Sequence, residues 1–292
     1  MLLKILPRVG YLAAIASMGF VLLGCDRISI SLNSNPLFAK QSQQVDKTKG
    51  QRLWSDSFEG DDWQENWHFR DHDLWGIGNT QIIDDSSGKF KKVLRVFYPK
   101  GSVSPSYSRK TKAPLGGVQF YSDLGIEPAD ALHLTYYLRF SNNFNFVKGG
   151  KLPGLYGGKG NTGGKIPDGT DGFSTRLMWR RNGNGEVYAY LPNSVKYGTS
   201  IDRGSWRFKP DIWYRIDQQV LLNDPNRNNG IIKLWVNGVQ VINRRNLNFR
   251  SVETLKIDGI LFSTFFGGSN SSWATPRDVH IDFAGFSVFE VD

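Results

Sequence analysis

FSTRLMWRRNGNGEVYAYL, residues 173–191, alternates apolar and polar side chains on both sides of a short connection of glycine and asparagine. A period of two marks a strand with one buried face, and a Gly/Asn link between two such runs makes them antiparallel neighbours. With Arg180 opposite Glu186, Arg176 falls near Tyr190, and residues of one parity share a face. Thr175, Leu177, Trp179, Val187, Ala189 and Leu191 form an apolar face that reads as core. Ser174, Arg176, Met178, Arg180, Glu186, Tyr188 and Tyr190 form the opposite face.

The same half-buried pattern recurs outward from this pair. LHLTYYLRF (132–140), WYRIDQQVLL (213–222), IIKLWV (231–236) and the run 279–289 read as strands. Asn237-Gly238, between 231–236 and 239–242, predicts a type I′ hairpin, because both residues tolerate positive φ. Aromatic residues make up 13% of the chain and glycines number 32, which favours short strands and tight turns, and no segment after residue 50 sustains a helical period. The expectation is an all-β, single-domain β-sandwich of jelly-roll type. GGKLPGLYGG (149–158) reads as a glycine-rich loop. It lacks the Gly-Lys-Ser/Thr ending of a phosphate-binding loop, which argues against a nucleotide.

The amino-terminal segment is a different kind of sequence. Lys4 and Arg8 precede an apolar run from Tyr11 to Leu23, too short for a membrane span and typical of an export signal over residues 1–24. Its exit, Leu22-Leu23-Gly24-Cys25, resembles a bacterial lipobox, which implies lipidation of Cys25 and a membrane-anchored envelope protein; an ordinary cleaved signal would leave a secreted one. Residues 25–50 read as a tether and 51–292 as the folded domain. Cys25 is the single cysteine, so the domain has no disulfide and no thiol nucleophile. The net charge of +9 falls to +7 when Lys4 and Arg8 leave with the signal. A basic exported protein suits a polyanion, and export favours acidic polysaccharide over nucleic acid.

Two phenols, an arginine and a hydroxyl on one face can stack on sugar rings and grip a carboxylate. A solvated sheet face with packed cross-strand tyrosines accounts for the same alternation, and the pattern alone does not choose. Glycoside hydrolysis needs two carboxyl groups about the bond, whereas Glu186 is the only one on this face. A non-catalytic glycan-binding module is a rival, with Trp206, Trp213, Trp235 and Trp273 as stacking platforms. HFRDHD (68–73) holds His68, Asp71, His72 and Asp73 but no third ligand region, so a rim role is expected and no metal site. His133 and His280 read as sheet residues.

KLPGLYGG (151–158), FSTRLMWR (173–180) and GEVYAYLP (185–192), in this order, resemble polysaccharide lyase family 14, whose members include alginate and glucuronan lyases. The likeness continues through WYRIDQQVLLN, KLWVNG, FSTFFGGSNSSWATP and DVHIDFAGFSVFE. It implies a jelly roll with a concave cleft and places catalytic roles on Lys151, Ser174, Arg176, Tyr188 and Tyr190. In β-elimination a base removes the proton beside a uronate carboxylate and the glycosidic oxygen departs. The developing dianion calls for cations, suiting Arg176 and Lys151, and for phenols as base and acid, suiting Tyr188 and Tyr190, with Ser174 as orienter. Lys159, Met178, Arg180 and Glu186 are the expected substrate contacts, and the loop 159–171 is expected to set the substrate. No cofactor is called for, although loop carboxylates and carbonyls can hold a structural calcium without a fixed spacing. A monomer acting on an acidic polysaccharide, with no nucleic acid partner, completes the expectation.

Overall fold

The computed structural model describes residues 49–60 and 62–291. The export segment, Cys25 and the tether as far as residue 48 lie outside the described residues. The first strands are β1 (Arg52–Asp56), β2 (Thr80–Asp84), β3 (Lys92–Tyr98), β4 (Val118–Ser122), β5 (Ala131–Phe140), β6 (Gly149–Gly158) and β7 (Gly172–Arg180). They are followed by β8 (Gly185–Tyr190), β9 (Thr199–Ile201), β10 (Trp213–Leu221), β11 (Gly230–Val236), β12 (Val239–Leu247), β13 (Gly259–Thr264) and β14 (Val279–Glu290). The alternating segments at 132–140, 173–191, 213–222, 231–236 and 279–289 are thus strands. Asn237 and Gly238 join β11 to β12 with φ of 51° and 81°, both positive as a type I′ turn requires.

The larger sheet runs β12-β11-β10-β5-β14-β3-β2, with β1 also pairing β14, and the smaller runs β4-β13-β6-β7-β8-β9. Leu132, Leu134, Tyr136, Leu138 and Phe140 of β5 and Leu177, Trp179, Val187 and Ala189 of β7 and β8 enter one buried cluster between the sheets. This is the expected β-sandwich, built because each strand buries one side of its pleat.

Two short helices, α1 (Trp63–Trp67) and α2 (Pro105–Thr111), depart from the strand-only expectation. At five and seven residues they are too short to show a period, and their signals are local. Asp62 accepts the Gln64 and Glu65 N–H groups at the start of α1, and Ser104 accepts that of Tyr107 in α2. α1 holds Trp67, fully buried, edge-on to Phe120 at 5.4 Å and to Phe286 at 5.0 Å. Truncating such a ring to alanine costs about 3–5 kcal/mol.

Residues 149–158 are not a loop. They form β6, hydrogen-bonded between β13 and β7. The glycines that obscured the strand are the residues the packing tolerates: a Cβ on Gly150 would lie 2.0 Å from the Trp179 ring, and one on Gly157 2.5 Å from Phe173. The β7–β8 register also differs from expectation, with Ser174 opposite Tyr190, Arg176 opposite Tyr188 and Met178 opposite Glu186. A short 3-10 turn at Arg181–Gly183, with Asn182 at φ 61°, consumes the residues that would have extended the ladder. The slip is two residues, so no side chain changes face.

Candidate active site

The even-numbered face of β7 and β8 turns away from the core and is continued by β6. Regular alternation would put Lys151 of β6 on the same side as Leu155. The ladder to β7 instead shifts between Leu152 and Gly154, where Pro153 is the extra residue of a β-bulge. Leu152 and Leu155 therefore both enter the core, while Lys151 lies opposite Met178, Gly154 opposite Arg176 and Tyr156 opposite Ser174. The bulge is what brings Lys151 to the arginine and the tyrosines.

Arg176 is 2% exposed and its Nη1 donates to Ser263 Oγ at 2.9 Å, which in turn donates to Gln119 Oε1 at 3.0 Å. No carboxylate of the described residues pairs with it. Burial pushes its guanidinium below the usual arginine range, and the phenols of Tyr121, Tyr190 and Tyr188 around it offset this only in part. Lys151 Nζ sits 2.8 Å from Met178 Sδ and 3.8 Å from the centre of the Tyr188 ring, also without a carboxylate partner. Burial, and then the charges of Arg176 and Arg180, push its ammonium well below the usual lysine range, only partly offset by Glu186. Leaving two cations in a half-dry site without counter-charge is unfavourable unless an anion arrives.

Tyr188 and Tyr190 meet edge-on, ring centres 5.8 Å apart. Burial, followed by the proximity of Tyr190 and a hydrogen bond with it, raises Tyr188 to about 12, so its phenol keeps its proton. Tyr190 Oη accepts the N–H of Gly164 at 3.0 Å, and Ser174 Oγ donates to the carbonyl of Asn161 at 2.7 Å. Both contacts dock the loop 159–171 against the face. Glu186 is fully buried, accepting from Arg180 Nε at 2.7 Å and pairing with Arg203. Met178 is 1% exposed. Met178 thus touches Lys151 and Glu186 touches Arg180, and both side chains are themselves buried.

Lys151, Ser174, Arg176, Tyr188 and Tyr190 are thus brought together, with Arg180 beside them, its guanidinium 5.4 Å from the Tyr188 ring. Lys159 stands apart, exposed on the rim of a cleft of about 630 Å³ that Arg70, His72 and Tyr121 also line. Gln119, Tyr121, Tyr156 and Ser263 belong to the same face without having been singled out. Gln119 and Tyr121 alternate in VQFYS (118–122), a signal of the same kind as that in β7. His72 stacks on Tyr121 at 4.7 Å, and the described residues hold no group of three or more His, Cys, Asp or Glu placed to bind a metal. His133 is buried against Asp217 and Trp235. Of the tryptophans, Trp206 and Trp235 are buried, Trp213 packs on Phe90 and Arg139, and Trp273 covers Gly268, which leaves the tyrosines as the aromatic surface of the face.

Comparison with known proteins gives the family of the chain. The sequence profile of polysaccharide lyase 14 matches residues 86–286, the stretch from the end of β2 into β14. The chain belongs to polysaccharide lyase family 14. Among solved structures, the lyase is similar to the alginate lyase of Aplysia kurodai, with 31% identity, a TM-score of 0.71, and coverage of 82% of this chain and 99% of that one. An alginate lyase from a Chlorella virus shares the fold at 23% identity and a TM-score of 0.61, over 72% of this chain and 88% of that one. The endo-β-1,4-glucuronan lyase of Trichoderma reesei shares it at 13% identity and a TM-score of 0.56, over 82% and 96%. No curated protein matches the chain by sequence. The protein is a polysaccharide lyase, and the expected jelly-roll sandwich is the fold of its relatives.

Proposed function

We propose that this lyase cleaves a uronic-acid polymer, alginate or a glucuronan-like chain, by β-elimination on the face of β6, β7 and β8. One observation carries the reading: Arg176 and Lys151 are desolvated side by side with no carboxylate partner among the described residues. A uronate carboxylate supplies the missing charge, Arg176 through its planar fork and Lys151 as a point charge. Held there, the carboxylate can accept the electron density released when the adjacent proton leaves. Tyr190 is the proposed proton acceptor and Tyr188, whose phenol stays protonated, the proposed donor to the departing glycosidic oxygen. Ser174 fixes the loop 159–171 through Asn161. Lys159 and Arg180 are proposed substrate contacts, with Met178 and Glu186 acting through Lys151 and Arg180. The similarity to an alginate lyase at 31% identity supports alginate as the first polymer to try.

The proposed setting is the cell envelope, with residues 1–24 as signal, Cys25 as lipid anchor, 25–50 as tether and 51–292 as a monomeric catalytic domain that uses no cofactor. The test is to incubate the protein with alginate, glucuronan and other polyuronates and follow the ultraviolet absorbance of the unsaturated product. Absorbance should rise on at least one polymer, and no rise on any of them, with binding retained, rejects the substrate class. Tyr188→Phe and Tyr190→Phe should each lower kcat by about 10²–10⁴-fold while leaving polymer binding in place. Unchanged turnover in both variants would refute their roles.

A further inference from the structure

The bulge that presents Lys151 breaks the β6–β7 ladder, and the broken ladder is mended from the other side of the core. Pro153 has no N–H to offer, and its carbonyl accepts the hydroxyl of Tyr136 at 3.1 Å. Two residues on, Leu155 N–H donates to Gln218 Oε1 at 3.1 Å. The amide of the same side chain donates through Nε2 to the carbonyl of Thr175 at 2.6 Å. Thr175 is the β7 partner of Leu155, so the Gln218 carboxamide is spliced into the ladder between them. Tyr136 and Gln218 stand on β5 and β10, adjacent strands of the larger sheet, and both are fully buried.

A carboxamide and a phenol deep in an apolar core are unfavourable unless their hydrogen bonds are made, and here the bonds go to backbone groups that the bulge has freed. Without the bulge, β6 would alternate regularly and Lys151 and Leu152 would exchange faces. We infer that Tyr136 and Gln218 are positioning residues for the active site, holding the Pro153 bulge from the opposite sheet so that Lys151 stands beside Arg176. The inference rests on the reading that Lys151 meets the substrate carboxylate. Gln218 also reaches the strand that carries Arg176, because Thr175, held by Gln218, directly precedes it.

Tyr136→Phe deletes one hydroxyl and keeps the ring, which stacks on Phe286 at 5.0 Å, and Gln218→Met keeps length while removing both bonds. Each variant should lower kcat/KM on the polyuronate by about 10- to 100-fold, the scale of a misplaced catalytic group. In protein carrying isotope-labelled lysine, with the Lys151 signal assigned by its loss in Lys151→Met, the ammonium should titrate closer to an ordinary lysine once it is no longer held in its slot. Tyr214→Phe removes another buried hydroxyl, which accepts the Lys209 N–H at 2.8 Å away from the bulge, and should lower stability comparably without moving the Lys151 titration or kcat/KM. An unchanged Lys151 titration and unchanged kcat/KM in both clamp variants overturns the inference. Wild-type kcat/KM in Lys151→Met overturns instead the role of Lys151, whatever the clamp does.

Discussion

The outer faces of the two sheets both bury charge, and they balance it differently. On the larger sheet, Arg95 and Arg139 converge on Asp282, with Arg139 also reaching Asp85, at distances of 2.7–3.2 Å. Beside them Lys49 and Arg215 converge on Asp217, which also takes a hydrogen bond from Thr135. On the smaller sheet, Glu186 answers Arg180 and Arg203, while Arg176 and Lys151 have phenols and a thioether for neighbours. A face that closes its own ion pairs contributes to folding and asks nothing of a ligand. A face that leaves two cations dry and unpaired is arranged for an anion that arrives later.

The contrast can be broken most sharply at Arg176. Arg176→Met should lower kcat/KM on a polyuronate by about 10²–10³-fold, the loss seen when a donor to a developing anion is removed. It should leave the melting temperature unchanged or raised, since a buried charge without a counter-charge is unfavourable and an apolar side chain of similar length removes it. A large fall in stability with activity retained would mean that Arg176 belongs to the scaffold. The mirror experiment is Asp217→Asn, which removes the buried negative charge that Lys49 and Arg215 share and should cost about 3–5 kcal/mol in denaturant unfolding while kcat stays near wild type. Lost activity in a variant that remains folded would join the two faces functionally.

A smaller effect should appear on acidification. Burial pushes Asp217 up, but the His133 hydrogen bond and the charges of Lys49 and Arg215 outweigh it and hold the carboxyl well below its usual range. Burial pushes His133 down, outweighing its bond to Asp217. In both cases the unfolded chain binds the proton first. Stability should therefore fall as the pH drops below about 6.5, where His133 charges in the unfolded chain, and again below about 4, where unfolded aspartates protonate. Asp217→Asn should flatten the second limb in melting curves taken across pH, and an unaltered limb would remove Asp217 as its source.

The two faces were not equally legible before folding. In β7 and β8 the alternation of Arg176, Tyr188 and Tyr190 against Leu177, Val187 and Ala189 separates the polar face from the core face directly, and it survives a two-residue error in register because the pleat repeats every two residues. The network around Asp217 and Asp282 gives no such signal. Its members come from β3, β5, β10, β14, the residue after β2 and the residues before β1, far apart in sequence, and each alone reads as an ordinary exposed charge.

By itself, then, the order of apolar and polar residues determined a sandwich of antiparallel strands, the face on which Ser174, Arg176, Tyr188 and Tyr190 stand, and the Asn237-Gly238 hairpin. These are local facts, set by side-chain period and turn chemistry. Tertiary structure decided that a stretch with five glycines is a central strand, because the neighbours that require those glycines, the Trp179 and Phe173 rings and the backbone carbonyls of Thr175, Asp171 and Lys256, are brought there only by folding. It also decided that Lys151 stands on the face of Met178 and Tyr188, since a bulge reverses parity and this one is held by Tyr136 and Gln218 from strands distant in sequence. Which buried charges are left without partners depends on contacts across both sheets, and no single strand can report it.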